Sequence, residues 1–150
     1  MRLVFAAPQA VAGLLAEEIG EAFSPPVSTI GVVDDAGNLV AGVAFTNYTG
    51  YGIEMTLAGR QCLTRSVRQA ICDYVFGWLG CRRLAIVTRR SNRRVRRLAP
   101  RLGFTFEGRA RGYYGEEDGL AYSLLSEEAV SHGHWVPNPR GYANGRSEAA

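Results

Sequence analysis

Residues 72–108 read C-D-Y-V-F-G-W-L-G-C-R-R-L-A-I-V-T-R-R-S-N-R-R-V-R-R-L-A-P-R-L-G-F-T-F-E-G, and the architecture of the chain follows from this stretch. Its beginning continues a helical pattern that runs from about Thr64 to Leu79. An apolar run then predicts a strand from Arg83 to Thr88, and a second helical pattern extends from about Asn92 to Leu102. That helix ends at Leu102-Gly103-Phe104, and another strand follows. The alternation of helices and strands predicts a sheet with helices packed on its faces.

Shorter apolar runs on either side of this stretch predict the remaining elements. β-Branched residues around Asp34-Asp35-Ala36-Gly37-Asn38 predict a hairpin, and Pro8 is typical of a helix start. The predicted elements are a strand at Arg2–Ala6, a helix at Pro8–Phe23, and strands at Val27–Val33, Leu39–Asn47, Tyr51–Ala58, Thr105–Gly112 and Leu120–Leu125. Together they predict an α+β (mixed α/β) fold, in which a central, largely antiparallel mixed sheet of six to seven strands is flanked by three to four helices.

Length and composition indicate one domain followed by a tail. The 150 residues suffice for one hydrophobic core, and 47% of them are apolar. We assign residues 1–128 to the domain and residues 129–150 to a C-terminal tail, because residues 131–150 are rich in Gly, Pro, Asn and Ser without apolar periodicity. The sequence contains no run of 18 apolar residues, so we expect no membrane span.

The cysteines and the N-terminal region predict a cytoplasmic protein. Cys62, Cys72 and Cys81 are an odd number without a C-x-x-C pair, which is typical of free thiols in a reducing compartment. Glu17 and Glu18 directly follow the apolar N-terminal stretch. We therefore interpret that stretch as a strand and an amphipathic helix rather than as a signal peptide.

Three short motifs and the order of the elements resemble the Gcn5-related N-acetyltransferase (GNAT) superfamily. The motifs are L-G-C-R-R-L at residues 79–84, Ser91-Asn92 after the central strand, and L-G-F-T-F-E-G at residues 102–108. They resemble in particular the branch that acetylates ribosomal proteins, other protein N-termini and small amines. The run at residues 63–76 is similar to short acetyltransferases of bacteriophages and prophages. The resemblance implies an enzyme that moves an acetyl group from acetyl-coenzyme A to a primary amine without a metal.

The same resemblance implies where acetyl-coenzyme A binds. The superfamily holds the pyrophosphate on backbone N–H groups at a helix N-terminus, where the helix dipole favours an anion. Its two glycine positions fall here on Cys62 and Thr64, and neither is glycine. Asn92, which matches an asparagine that contacts the cofactor, equally suits the N-cap of its own helix. The implied cofactor-binding residues are Arg60, Gln61, Thr64, Arg65 and Ser66 around the helix start, Met55 and Leu57 through their backbone N–H groups, and Asn92.

Glu54 and Tyr114 are the candidate catalytic residues. Transfer to an amine requires a base that takes up the amine proton and an acid that protonates the departing thiolate. Alternation places Glu54 on the opposite face of its strand from its apolar neighbours, and burial of this lone acid would favour its uptake of a proton. The tyrosine that many superfamily members use as the acid is replaced by Ala99. Tyr114, with its neighbour Tyr113, is the substitute that we consider.

Two alternative functions remain open. The missing glycines and Ala99 favour a chain that keeps the fold but has lost catalysis, and serves as a binding or structural assembly module; a phage particle is one setting for it. The tail is then the expected contact with a second copy or an assembly partner. All 17 basic residues are arginine and eleven lie between Arg82 and Arg111, so the arginine-rich helix is a candidate polyanion site. The sequence argues against nucleic acid, because it contains no aromatic-interleaved RNA motif and no helix-turn-helix spacing.

Overall fold

The computed structural model describes residues 1–5, 8–19, 28–59 and 63–142. The strands in these ranges are β1 (Arg2–Val4), β2 (Ser28–Val33), β3 (Leu39–Thr46), β4 (Gly52–Gly59), β5 (Arg83–Arg89), β6 (Thr105–Tyr114) and β7 (Glu117–Leu125). The helices are α1 (Pro8–Ile19), α2 (Arg65–Cys72), α3 (Arg93–Arg101) and α4 (Ser126–Ser131), and a π-helix at Asp73–Trp78 directly continues α2. None of the helices in the described ranges has the length and apolar character needed to cross a membrane.

The seven described strands form one mixed sheet in the order β1-β2-β3-β4-β5-β7-β6. Every neighbouring pair is antiparallel except β4 and β5, which are parallel because α2 and its π-helical continuation cross between them. The predicted fold class is therefore confirmed, as a largely antiparallel mixed sheet flanked by helices.

Alternation along the strands assigns the helices to two faces of the sheet. On one face, α1 buries Val11 and Leu15 against Ala44 of β3 and Ala58 of β4. The other face carries the larger core, where α2 and α3 pack against the centre of the sheet. The buried residues of this core include Met55, Val67, Ile71, Leu84, Ile86, Ala99 and Leu124. On this face, α2 and α3 cover the ends of β4 and β5 that form the site described below, while α1 lies on the other face near Ala58.

A segment after α4 packs on the helical segment that contains α2. The Asp73 Oδ1 atom accepts hydrogen bonds from Gln69 Nε2 (3.0 Å), from Trp135 Nε1 (3.1 Å) and from the hydroxyl of Tyr142. Gln69 also forms two hydrogen bonds of 3.0 Å with the backbone of Val136. We call residues 132–142 the C-terminal strap. Composition predicts a flexible tail here, but these polar and aromatic side chains hold the strap on the domain.

Three local features differ from the sequence prediction. The helix α4 was not predicted; it spans residue 128, where composition places the end of the domain, and that domain boundary stays a prediction. The π-helix was not predicted either, and it forms where Leu79 N–H bonds to the Tyr74 carbonyl and Cys81 N–H bonds to the Val75 carbonyl. The hairpin of β6 and β7 is longer than predicted, because pairing continues to its turn.

Gly103, which follows α3, gives a test of how the strap is held. It has a φ of +88°, and an added Cβ atom would overlap the ring of His132 in the strap. We predict that Gly103→Ala lowers the free energy of unfolding by about 1–3 kcal/mol, because backbone strain adds to displacement of the strap. Urea denaturation measures this change.

Gly13→Ala is the matched control. A Cβ atom at Gly13 in α1 would meet nothing within 4 Å. Alanine favours a helix by about 1 kcal/mol over glycine, so this variant should be as stable as the parent or more stable. An equal loss of stability in both variants would contradict the role assigned to the contact between Gly103 and His132.

Candidate active site

The sheet opens between β4 and β5. Their parallel pairing is short and ends at Glu54 opposite Ala85. Beyond this point β4 still pairs with β3 as far as Gly59, and β5 still pairs with β7 as far as Arg89. Because each strand stays with its outer neighbour, the two strands diverge and leave a V-shaped split with its vertex at Glu54. The backbone groups of β4 and β5 beyond Glu54 and Ala85 are therefore not paired with each other.

Backbone groups from both strands face into the split. The Tyr51 carbonyl accepts a hydrogen bond from Arg82 N–H at 2.8 Å, so the odd-numbered residues of β4 direct their backbone groups toward β5. Leu57 is one of these residues and lies beyond the last pair. The Arg82 carbonyl accepts a hydrogen bond from Ser126 N–H on the β7 side. By the same alternation, the odd-numbered residues of β5 direct their backbone groups toward β4. Val87 is one of these residues, so its backbone groups face the split.

Tyr114 reaches the β5 wall of the split. Its hydroxyl donates a hydrogen bond of 3.0 Å to the Val87 carbonyl, and the Arg89 guanidinium lies 4.4 Å from the centre of its ring. Gly119 leaves room for Val87 and Tyr113, because an added Cβ atom there would lie 2.8 Å from the Val87 side chain and 3.1 Å from Tyr113. Val87 lies two residues, or about 7 Å, along β5 from the partner of Glu54. The structure therefore brings the two predicted catalytic residues to the same part of the split.

A bulge in β6 positions Tyr114. Pairing with β7 goes out of register between Ala110 and Tyr114. Within the bulge, Gly112 has a φ of +64° and its N–H donates to Asp118 Oδ1 at 2.7 Å. The Asp118 carboxylate also pairs with Arg109. The Gly112 hydrogen bond first, and the Arg109 contact second, hold the pKa of Asp118 below its usual value.

Glu54 lies on the face of the sheet opposite to α2 and α3. It is half-buried, and its Oε2 atom accepts a hydrogen bond from Asn47 Nδ2 at 2.9 Å. Asn47 follows β3 with a φ of +53°, a conformation that asparagine tolerates better than most residues. Arg83 is a charged neighbour: hydrogen bonds to Glu107 of 2.7 and 2.5 Å are the main cause of its raised pKa, and the charge of Glu54 adds to the effect. Glu54 is thus oriented from one side by an amide.

The start of α2 lies at the open end of the split, because α2 follows the end of β4. Thr64 is its N-cap, as predicted, and the Thr64 Oγ1 atom accepts a hydrogen bond of 3.4 Å from Val67 N–H. Ser66 Oγ lies 3.3 Å from the same oxygen, and Arg65 is exposed in the first turn. Thr64 has φ −61° and ψ 162°, an extended conformation open to any residue. Its backbone geometry therefore does not require the glycine that the superfamily motif has here.

The other predicted cofactor residues fall into three groups. Asn92 borders the open end from the β5 side, and its predicted N-cap role is confirmed, because Oδ1 accepts a hydrogen bond of 3.2 Å from Val95 N–H. Met55 lies at the vertex, directly after Glu54, which is the last residue of β4 that pairs with β5. Arg60 and Gln61 lie outside the described residues.

An apolar cavity of about 40 Å³ extends between α2, α3 and the split. Met55, Leu57 and Ile86 contribute its sheet wall. Two polar side chains also line it, Arg68 from α2 and His134 from the strap, and Arg68 Nε and His134 Nδ1 are buried without a hydrogen-bond partner among the described residues. Buried polar atoms without partners cost free energy. The cavity is a small apolar space, and the two nitrogens are buried polar atoms of the residues in its walls.

Sequence reasoning missed the residues that shape the site around the catalytic pair. Gly112, Asp118 and Gly119 were interpreted only as part of a strand and its turn, and Arg68 and His134 were not assigned to the site. Glycines inside a strand pattern are typical of bulges and of close backbone approach, so this signal was present in the sequence. Nothing in the local sequence pairs Arg68 with His134, which are brought together by the strap.

The described residues offer little for metal or thiol chemistry. In residues 1–5, 8–19, 28–59 and 63–142, no group of three or more His, Cys, Asp or Glu side chains is arranged to hold a metal ion. Cys72 and Cys81 are free and buried. Burial raises the pKa of the Cys72 thiol to about 12, which keeps it protonated and unreactive at neutral pH.

The bulge gives a pH-dependent prediction. Because the pKa of Asp118 is lowered in the folded state, its stabilisation is present above its ordinary value of 3.8 and is lost as the pH falls through the folded value. We expect Asp118→Asn to lower the urea midpoint at pH 7, and the difference from the parent to shrink at pH 3. Glu116→Gln, in the same hairpin and exposed, is the control that should show neither effect. A difference that is constant with pH would contradict the ionic role of Asp118.

No protein-family model matches the sequence, and no curated protein sequence matches it. Solved structures do match. A Gcn5-related N-acetyltransferase from Brucella melitensis is similar with a TM-score of 0.59 and 27% identity, over 71% of this chain. The match covers 54% of the Brucella chain, so this chain spans about half of its length.

Two further structures are similar at lower identity. A chimera of the Vibrio cholerae spermidine N-acetyltransferase SpeG and hSSAT has a TM-score of 0.66 at 16% identity, covering 87% of this chain and 99% of its own. The N-acetyltransferase PseH from Campylobacter jejuni, solved in complex with acetyl coenzyme A, has a TM-score of 0.53 at 19% identity, covering 68% of this chain and 70% of its own. Together with the split between β4 and β5, these similarities show that the chain has the fold of the Gcn5-related N-acetyltransferase superfamily.

Proposed function

We propose that this chain is an N-acetyltransferase that moves an acetyl group from acetyl-coenzyme A directly to a primary amine. The observation that carries the proposal is the V-shaped split. It combines backbone groups of β4 and β5 in its walls, helix starts at its open end, and a carboxylate and a tyrosine hydroxyl near its vertex.

The residues present fit acetyl-coenzyme A, which supplies an activated acetyl thioester when it is bound. The Leu57 N–H group faces the split beyond the last strand pair and is placed to donate to a carbonyl oxygen. The first turn of α2 presents backbone N–H groups and Arg65 to a pyrophosphate. The apolar cavity of about 40 Å³ is too small for the pantetheine arm, which would instead lie along the open split between β4 and β5. Asn92 borders the opposite side of the opening.

Glu54 and Tyr114 divide the proton transfers. Glu54, oriented by Asn47, accepts a proton from the ammonium or amine that enters on the face opposite to α2 and α3, directly or through water. Tyr114 holds its hydroxyl proton in the split, on the Val87 carbonyl, from which it can be delivered to a departing thiolate. It replaces the acid that Ala99, which is buried in the core, cannot provide.

The acceptor belongs to the class of primary amines. Protein N-termini and small amines are both proposed, the first from the sequence resemblance to the ribosomal-protein and N-terminal branch and the second from the named spermidine activity of a structural neighbour. We place the activity in the cytoplasm, which would be the host cytoplasm for a phage-encoded chain.

A second candidate is a catalytically degenerate module that assembles with another protein, for example in a phage particle. The burial of Ala99 at the usual tyrosine position favours it. The strap packs on its own domain through hydrogen bonds to Asp73 and Gln69. An assembly partner would therefore contact the strap from its outer side.

Binding of acetyl-coenzyme A separates the two candidates. We expect calorimetric titration to give a micromolar dissociation constant, and Arg65→Ala to weaken it by roughly threefold to tenfold through loss of a charged phosphate contact. Arg2→Ala, an exposed residue of β1, should leave it unchanged. No binding at millimolar cofactor would exclude the enzyme and favour the degenerate module.

Glu54→Gln and Tyr114→Phe test the catalytic roles. Each should lower kcat by about 10²–10⁴-fold, while the dissociation constant for acetyl-coenzyme A stays the same, because neither group is needed to hold the cofactor. Spermidine and a peptide with a free N-terminus are the acceptors for the assay. Tyr113→Phe should retain activity; if it loses activity and Tyr114→Phe does not, the assignment of the acid is wrong.

A further inference from the structure

The outer side of α3 is a dense positive surface. Arg93, Arg94, Arg96, Arg97 and Arg101 are all exposed, and we call these five residues the arginine face. The apolar residues Val95, Leu98 and Ala99 of α3 turn inward. Among the described residues, the ion pairs formed by arginine side chains involve Arg82, Arg83, Arg89 and Arg109, and none involves the arginine face. Within the described part of the chain, no ion pair within 4 Å therefore neutralises this face, although Glu116, Glu117 and Asp118 line one depression together with Arg93 and Arg96.

The spacing along the helix makes the positive charge periodic. Arg93, Arg97 and Arg101 recur every fourth residue, which places them in one row at steps of about 6 Å. Arg94 and Arg96 flank the row. One end of the arginine face is fixed to the domain, because Arg96 Nη1 donates a hydrogen bond of 3.0 Å to the Arg90 carbonyl. A row of evenly spaced guanidinium groups matches a ligand with evenly spaced anionic groups, and guanidinium binds phosphate oxygens in pairs.

The absence of exposed apolar side chains on this face limits the class of partner. A membrane-surface helix needs an apolar face that enters the lipid, but Val95, Leu98 and Leu102 of α3 are directed to the core. A protein interface is built around an apolar or aromatic centre, which the five arginines do not provide. A phosphate backbone requires only charge and hydrogen-bond donors.

An exposed aromatic ring lies on the same side of the sheet as α3. Phe106 lies on β6, shortly after α3 ends, and it pairs in register with Tyr122, so both rings lie on the α3 side of the sheet. Tyr122 is buried, but Phe106 is 54% exposed, with its ring centre 5.4 Å from that of Tyr122. Exposed aromatic rings beside positive charge are the usual means of binding unpaired bases by stacking.

We propose that the arginine face and Phe106 form a binding surface for single-stranded nucleic acid. The phosphates lie along the row of Arg93, Arg97 and Arg101, and a base stacks on Phe106. The sequence argued against nucleic acid because it lacks a known motif. The fold nevertheless places the charged helix α3 and the exposed ring of Phe106 on the same side of the sheet. The arginine face begins at Arg93, directly after Asn92 at the open end of the split, but its binding of nucleic acid does not depend on the proposed acetyl transfer.

Fluorescence anisotropy with a labelled 20-nucleotide oligo(U) tests the proposal. If all five arginines contact phosphate, the affinity should fall by about a hundredfold between 50 and 200 mM salt, from a slope of about −0.7 per contact for single strands. The variant Arg93→Gln, Arg97→Gln, Arg101→Gln should bind more weakly and reduce the magnitude of the slope by about two.

The matched control removes the same charge elsewhere. Arg2→Gln, Arg82→Gln, Arg140→Gln carries three exposed substitutions outside the arginine face and should bind like the parent. Equal weakening of the two triple variants would overturn the proposal, because general charge would then explain binding. So would the absence of binding at 50 mM salt and 100 μM protein, or equally tight binding of polyglutamate.

Phe106→Ala distinguishes stacking from charge alone. It should weaken binding of the oligo(U) by about fivefold or more while leaving the salt slope unchanged. A 20-base-pair duplex, whose bases are paired, should show no effect of Phe106→Ala and should bind less tightly than the single strand. Tighter binding of the duplex, or an oligo(U) affinity independent of Phe106, would overturn the assignment to single strands. Labelled oligo(dT) in parallel shows whether RNA or DNA is preferred.

Discussion

The parallel pairing of β4 with β5 ends at Glu54 and Ala85, and the rest of the site depends on where it ends. Each strand keeps its antiparallel partner on the outer side, so the separation leaves the sheet intact while opening its centre. A parallel pair is held by a slightly weaker ladder than an antiparallel pair. The junction between β4 and β5 is thus the place where this sheet opens at the lowest cost.

Opening a sheet leaves backbone groups that need other partners. A buried carbonyl or N–H group without a partner costs about 1–3 kcal/mol. On the β5 side, the Val87 carbonyl has a partner, because the Tyr114 hydroxyl donates a hydrogen bond to it. The bulge held by Asp118 brings Tyr114 to this position. On the β4 side, Leu57 lies beyond the last pair with β5. At Tyr114, a catalytic candidate and the structural compensation are therefore the same residue.

The sequence predicted the features that arise from local periodicity. The strands of the meander, the helix starts at Thr64 and Asn92, and the apolar side of α3 depend on residues close in the chain, and each was found where expected. The end of the β4–β5 ladder could not be predicted, because it depends on how strands far apart in sequence share partners. The strap was missed for the same reason: Asp73 and Trp135 are separated by 62 residues, and only the folded chain joins them.

The strap explains how a short chain holds α2 at a fixed angle to the split. The start of α2 borders the opening, and its other end is continued by the π-helix, whose Asp73 bonds to the strap at Trp135 and Tyr142. The strap also contacts α3, because His134 Nε2 lies 2.7 Å from the Leu102 carbonyl. It therefore links the two helices whose N-termini border the open end. The C-terminal segment is polar in composition. Through His134, it nevertheless helps to set the width of the apolar cavity between α2 and α3.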